Sequence, residues 1–297
     1  MNARQLCSTL LMGALLSACG GNEPVSAERY AESDAMTAAI RGNIATVPHL
    51  SEVAEIDHSR LGHEAGSPMP PARVVIFSDK QLEADLINQQ QLVALDLPLR
   101  ILAYEPHPGE RSRVIYNSFE YLQSRYALAG QESSVHRQRY TQAMEDALQG
   151  IDKGAVAEFA DNSMQPDGIV TITSPFDFEE TLARVNAAID AQGDTVRFGL
   201  VDFQANAAEL DVALRPTTLI LFGGPGPGGK AMADAVTLGL DAFCQKFLVW
   251  EDEQGVVHLS FNDLLNLAER QQVPKRLPLR VVNFRLNSVF SEALDAG

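Results

Sequence analysis

The sequence predicts an α+β protein made of two tandem β-α-β-β-β-β-α units with mostly antiparallel sheets. Three observations lead there. The first is a repeat: Phe77 and Phe222, Asp96 and Asp241, and Asn117 and Asn262 each stand 145 residues apart. Around them ARVVIF corresponds to TLILF, ALDLPLRILAYE to GLDAFCQKFLVWE, and VIYNSFEYL to HLSFNDLLNL. A one-residue slip at Tyr104 and Trp250 is repaired before the asparagines. The second is that hairpin connections dominate, as where residues 246–250 and 256–261 flank a polar, glycine-containing turn. Hairpins imply antiparallel sheets with helices gathered on one face. The third is helical apolar spacing at matching places, residues 33–44 and 177–191.

In chain order, residues 1–18 read as a lipoprotein signal peptide. Arg4 supplies a positive head, an apolar run covers 10–16, and Leu16-Ser17-Ala18 places small residues before Cys19. The run is too short to span a bilayer. Cleavage before Cys19 leaves a residue open to acylation, and three acyl chains anchor firmly where one does not. Cys19 is the expected lipidation site and residues 19–30 a lipidated tether. Gly20, in a place where aspartate would signal otherwise, resembles bacterial lipoproteins retained in the outer membrane. The expected location is therefore the outer membrane, periplasm-facing and lipid-anchored, with the membrane a partner through the lipid.

Residues 31–130 form the first unit, with a helix over 33–44 and a strand over 53–58. Its opening strand is poorly patterned, 25–29 being the aligned place. Residues 131–167 connect the units: 132–151 reads as a helix with Tyr140, Met144 and Leu148 on one face, and 153–168 as a polar linker. Residues 168–297 form the second unit with its C-terminal helix. Residues 169–173 alternate as a strand. The helix over 177–191 aligns Phe178, Leu182, Val185 and Ile189, is capped by Ser174 or Asp177, and is ended by Gly193. Residues 196–203 and 217–222 are strands, the second apolar on both faces and so central. Asn262 is expected to cap a helix through Leu264, Leu267 and Ala268, and 278–294 is the counterpart of 132–151.

After the central strand comes GPGPGGK, residues 224–230, which fits the phosphate-loop pattern G-x-x-x-x-G-K between a strand and a helix. Ala231 stands where a hydroxyl would hold magnesium, and Pro225 and Pro227 remove two amide donors from a loop that would need them. A rigid turn is the better reading, with a short helix inside the Gly-Pro connection. The residues around it carry a resemblance. Arg215, Pro216, Thr217, Leu219, Phe222, Gly223, Pro225, Gly228, Met232, Leu240, Asp241 and residues 248–252 resemble the bacterial domain-of-unknown-function family 302 (DUF-302). So does TSPFDFEETLARVNAAIDAQG over 173–193. The first unit resembles a degenerate copy. Gly224 and Gly229 stand where the family has Asn and Thr, and Ala242-Phe243 where it favours Leu-Pro. The resemblance implies a fold of the TATA-binding-protein-like class. It also implies dimeric single-copy relatives, so the tandem chain is expected to pack as a monomeric pseudo-dimer.

Charge narrows the function. The 297 residues hold 23 Lys+Arg against 39 Asp+Glu, a net charge of −16. That opposes nucleic-acid or anionic-lipid surfaces, and fold alone argues for no nucleic-acid partner. Of the 3 cysteines, Cys7 falls in the leader and Cys19 takes lipid, leaving Cys244 without a disulfide in an apolar segment suited to packing. DHSRLGHE offers Asp57, His58, His63 and Glu64; in the second unit Asp202 persists while His58 becomes Phe203. Asp57-His58 resembles a position the family favours. Arg215 reads first as the partner of Asp241 or Glu251, and otherwise as a holder of an anionic ligand. The candidate ligand-binding residues are thus Asp57, His58, Arg215, Gly223 and Gly228. His58 and His63 are candidate metal ligands, though His-x-x-x-x-His matches no standard helical metal motif. No catalytic residue is assigned and no cofactor is expected. The sequence reads as a lipid-anchored envelope protein acting as a non-catalytic binding or interaction module, taking a small ligand or an envelope protein partner where the units meet. The alternatives are a hydrolase-like enzyme using His58 with Asp57, and a metal or haem carrier through His58 and His63.

Overall fold

The computed structural model describes residues 27–295 except 108, 129, 131–132, 153, 155 and 160–167. The first half runs α1 (Ala27–Thr46), β1 (Ser51–Asp57), α2 (His58–Glu64), β2 (Ala72–Ser78), α3 (Lys80–Gln89), a 3-10 turn (Gln91–Asp96), β3 (Leu99–Tyr104), β4 (Arg113–Asn117), α4 (Phe119–Tyr126), α5 (Ser133–Ala147) and β5 (Val156–Phe159). The second runs β6 (Ile169–Thr173), α6 (Phe178–Asp190), β7 (Val196–Asp202), α7 (Phe203–Ala208), β8 (Thr217–Gly223), α8 (Pro225–Met232), a 3-10 turn (Val236–Gly239), β9 (Gln245–Glu251), β10 (Val257–Asn262), α9 (Leu264–Arg270) and α10 (Leu277–Ala293). Beyond the expected units, short helices follow β1 and β7, and another follows β2; the one after β8 is the short helix expected inside the Gly-Pro connection.

Two separate 5-stranded sheets result, ordered β1-β2-β3-β4-β5 and β6-β10-β9-β8-β7. Each is open, with two edge strands. This corrects the expected TATA-binding-protein-like class, which needs one curled, continuous saddle. The α+β architecture and the antiparallel pairing stand, with one exception. β5 lies parallel to β4, because the chain reaches it through α4 and α5, a helical crossover of the kind parallel pairing requires. It fills the edge that β6 fills in the second half. The poorly patterned opening of the first unit has no strand among its described residues, since α1 already begins at Ala27.

The repeat extends to backbone irregularities. β1 shifts register between Glu52 and Ala54, and β7 between Arg197 and Gly199, the same place 145 residues on. Bulges are specific local features, so the shared one ties the halves to a common plan. In α6, Asp177 accepts the Glu180 amide at 2.9 Å, and Val185 and Ile189 are fully buried. That helix ends at Asp190, capped by Ala191, before Gly193 is reached. Asp263, not Asn262, caps α9. Asn262 instead ends β10 and turns its side chain to the other half. Under α10, Phe247 meets Phe222 at 4.7 Å, Phe261 at 5.1 Å and Phe290 at 4.2 Å between ring centres.

The halves pack reciprocally. α2 lies against α8 and α3 against α7, so each half contributes the same pair of elements. The turn at Gln91–Asp96 covers β8, β9 and β10, and its counterpart at Val236–Gly239 covers β2 and β3. This is the self-complementary geometry of a two-fold dimer, built within one chain.

The expected signal peptide and the expected lipidation site at Cys19 lie outside the described residues. Among the described residues no helix is long and apolar enough to cross a membrane. They form a folded body around a buried apolar core. On that finding the expected lipid-anchored, periplasm-facing outer-membrane location and the membrane partner are withdrawn.

Candidate functional site

The seam between the halves gathers the chemistry. At the α2–α8 crossing, Gly62 and Gly229 face each other. A methyl group built on Gly229 would sit 2.6 Å from the Ser67 carbonyl oxygen, and one on Gly62 2.8 Å from the same atom. Only glycine lets the two backbones approach so closely. The GPGPGGK segment is therefore neither a phosphate loop nor a plain turn. It folds as the start of α8, with proline in the first turn where a missing amide costs nothing.

Beside this crossing lies a pocket with about 20 Å³ of room, enough for about one water. The first half contributes His58 and Leu61. The second contributes Gly223, Gly224, Pro225 and Gly228 from the end of β8 and the start of α8, with Met232 further along that helix. Phe198, Phe243 and Cys244 complete the wall. Methyl groups on Gly223 or Gly228 would press on Gln245 and Phe198 or on Phe243, at 2.9 to 3.2 Å. Two of the glycines proposed for ligand binding thus shape the pocket by lacking side chains.

His58 is 6% exposed. Its Nε2 lies 3.1 Å from the Gly239 carbonyl oxygen. A carbonyl only accepts, so Nε2 carries the proton. Burial pushes the imidazole pKa down to about 4, against a smaller upward pull from that hydrogen bond. At neutral pH the ring is uncharged, and Nδ1 is a bare acceptor with no hydrogen bond among the described residues. Gly239 is itself fixed by the ring, since a methyl there would come within 3.0 Å of His58 Cδ2. Cys244, the free buried cysteine, has its thiol pushed up to about 11 by burial.

Asp57 does not work with His58. Its carboxylate caps α2 by accepting the Arg60 amide at 2.9 Å, and it also binds the Ser59 hydroxyl and the Arg60 and Arg73 guanidinium groups. Burial raises the carboxyl pKa, and those donors together bring it below the ordinary value. Asp202 caps α7 in the same way. His63 cannot join His58, because five residues on a helix put the two roughly 140° apart. Among the described residues there is no group of three or more His, Cys, Asp or Glu side chains that could hold a metal ion. Arg215 pairs with neither Asp241 nor Glu251. It donates to Gln91 of the first half at 3.1 Å and lies 3.6 Å from Glu253. Gln91 in turn donates to Thr217 at 2.7 Å, so Arg215 braces the seam.

The sequence reading missed a buried ionic network that crosses the same seam. Asp96 receives Arg125 and the Tyr126 hydroxyl from its own half, and Lys246 of the second half at 3.1 Å. Arg125 also donates to Asn262 at 2.6 Å, while Asn117 donates to both oxygens of Asp241 at 3.0 and 3.1 Å. Burial raises the Asp96 carboxyl, but the Arg125 and Lys246 charges outweigh it and hold it well below the usual range. Burial and the Arg100 charge push Lys246 down to about 8. Arg100 pairs across from Ile76 and Lys246 across from Leu221, so the two cations occupy matching strand positions. The one signal for this network was the survival of both Asp–Asn pairs in two otherwise diverged copies.

Comparison with known proteins agrees with the architecture. The pattern of the domain-of-unknown-function family DUF302 matches residues 29–150 and again 170–292. The chain belongs to this family and carries two copies of its domain. Proteins named fluoride-specific ion channel FluC 1, from Brucella suis biovar 1 (strain 1330) and Brucella abortus biovar 1 (strain 9-941), are each 40% identical over 111 residues. Those matches cover 37% of this chain and 43% and 40% of the two relatives, so the chain spans about two-fifths of their length. A crystal structure of an uncharacterised conserved DUF302 protein from Bacillus stearothermophilus matches 43% of this chain and 97% of its own, at 14% identity and a TM-score of 0.37.

Proposed function

We propose that this tandem DUF302 chain is a binding module whose small ligand sits in the pocket between its two halves, held by His58. One observation carries the reading: His58, a buried, neutral imidazole with its Nε2 committed to Gly239, lines an otherwise apolar pocket. The site is composite. His58 comes from the first half and the glycine-lined wall from the second, so neither copy holds it alone. Second-half Phe203, the counterpart of His58, has no such nitrogen. From the Brucella relatives this reading takes the shared stretch alone and carries over no channel activity.

Native mass spectrometry of the full chain, purified gently from its own host, tests this. The expected spectrum contains an adduct that His58→Phe abolishes and that a change at exposed His107 leaves intact. An adduct that survives His58→Phe, or a bare mass throughout, contradicts the reading.

A further inference from the structure

We infer that the outward face of α10 docks an acidic amphipathic helix of another protein, with Leu277, Val281 and Phe284 as the apolar anchors. This surface is independent of the pocket between the halves. Leu277 is 72% exposed, Val281 55% and Phe284 73%. They stand four and then three residues apart on one helix, so they form a single stripe about 10 Å long. Leu279, Val282, Leu286 and Phe290, on the opposite face, are buried and hold the helix to its own half. The outer stripe adds nothing to that packing. The first half shows that the fold does not require it. In α5, His136, Tyr140 and Met144 are buried at the spacing of Val282, Leu286 and Phe290. In that register Val135 answers to Val281, but Gln138 stands for Phe284 and Ser134 for Arg280.

Charge selects the occupant. From Gln271 to Ser291 the chain has Lys275, Arg276, Arg280 and Arg285 and none of its 39 acidic residues, although the whole carries a net charge of −16. Arg280 donates to the Lys275 carbonyl at 2.9 Å and has no carboxylate partner among the described residues. Lys275 meets Glu269, Arg276 meets Asp234 and Arg285 meets Asp194, all at the surface. Such exposed pairs contribute little, so a partner's carboxylates can replace them. An apolar stripe flanked by cations is complementary to a helix with apolar residues at the same spacing and Asp or Glu beside them. A second copy of this chain is a poorer fit, since it brings an identical basic stripe and another net charge of −16.

The test is fluorescence anisotropy of the full chain with a labelled synthetic helix, its leucines at every third or fourth position and glutamates beside them. A scrambled peptide of the same composition is the control. The expected result is saturable binding of the helix and none of the scramble. Phe284→Ser and Arg280→Glu each weaken binding at least about tenfold. So does salt at about 1 M, which shortens the screening length to about 3 Å. Val135→Ser, on the first-half counterpart, leaves binding unchanged. All three side chains are exposed, so the urea midpoint stays fixed in each variant and a loss of binding is not a loss of folding. No binding, equal binding of the scramble, or indifference to Phe284→Ser and Arg280→Glu overturns the inference. Sedimentation of the full chain alone, and with phosphatidylglycerol vesicles, gives a second readout. Dimers or vesicle pelleting that Phe284→Ser abolishes would assign the face to a second copy or to a lipid surface, and would also overturn it.

Discussion

His58 shows how far one residue departs from its sequence context. Read along the chain, Asp57 and His58 are neighbours and suggest an acid–base pair. They stand at a strand-to-helix junction, where the first residue turns to cap the helix and the second points across the seam. Adjacency in sequence carries no information about that divergence. The burial of His58 has a pH consequence. Its folded pKa, about 4, lies below the unfolded value of 6.5. Between those values the unfolded chain takes a proton that the folded chain refuses. Stability is therefore full above about pH 6.5 and falls as the pH drops through 4, by about 3 kcal/mol in all. Urea unfolding at several pH values should show this loss in the native chain, and His58→Phe should flatten it. An unchanged slope in that variant would place the acid sensitivity elsewhere. Asp96 gives a separate loss at lower pH, because its folded pKa is depressed and its ionic partners are lost only when it protonates.

At the scale of elements, strand and helix order was largely legible, since apolar period and cap residues are local signals. What the sequence concealed was set by packing between distant parts. The GPGPGGK segment resembles a turn because glycine and proline usually mark turns. It is helical because α2 lies against it and excludes side chains at Gly229 and Gly62. Gly229→Ala should therefore destabilise the chain by about 1–3 kcal/mol through overpacking, despite alanine's higher helix propensity. Chemical denaturation would read this directly, and a stabilised variant would mean that the crossing is looser than described. β5 was hidden for a related reason. It was read as linker, and its place depends on an edge that the start of the first unit leaves open.

For the molecule as a whole, the repeat was the most informative feature of the sequence, and it foretold reciprocal halves. It did not foretell how they are joined. Arg125 and Lys246 lie 121 positions apart in the chain, yet both meet Asp96 in a site closed to solvent. Nothing local marks such a meeting. Removing the carboxylate leaves two buried cations facing a neutral group, a change that typically costs about 3–5 kcal/mol. Asp96→Asn should lose that much in urea denaturation, while Asp202→Asn, at the exposed cap of α7, should lose about 1 kcal/mol or less. Equal effects would remove the ionic seam from the account.

The binding site proposed here exists only if the halves form one body. Differential scanning calorimetry of the full chain tests that most directly. The account predicts a single transition whose calorimetric and van't Hoff enthalpies agree, moving as a unit to lower temperature in Asp96→Asn. Two resolved transitions, with Asp96→Asn shifting only the first half, would contradict it.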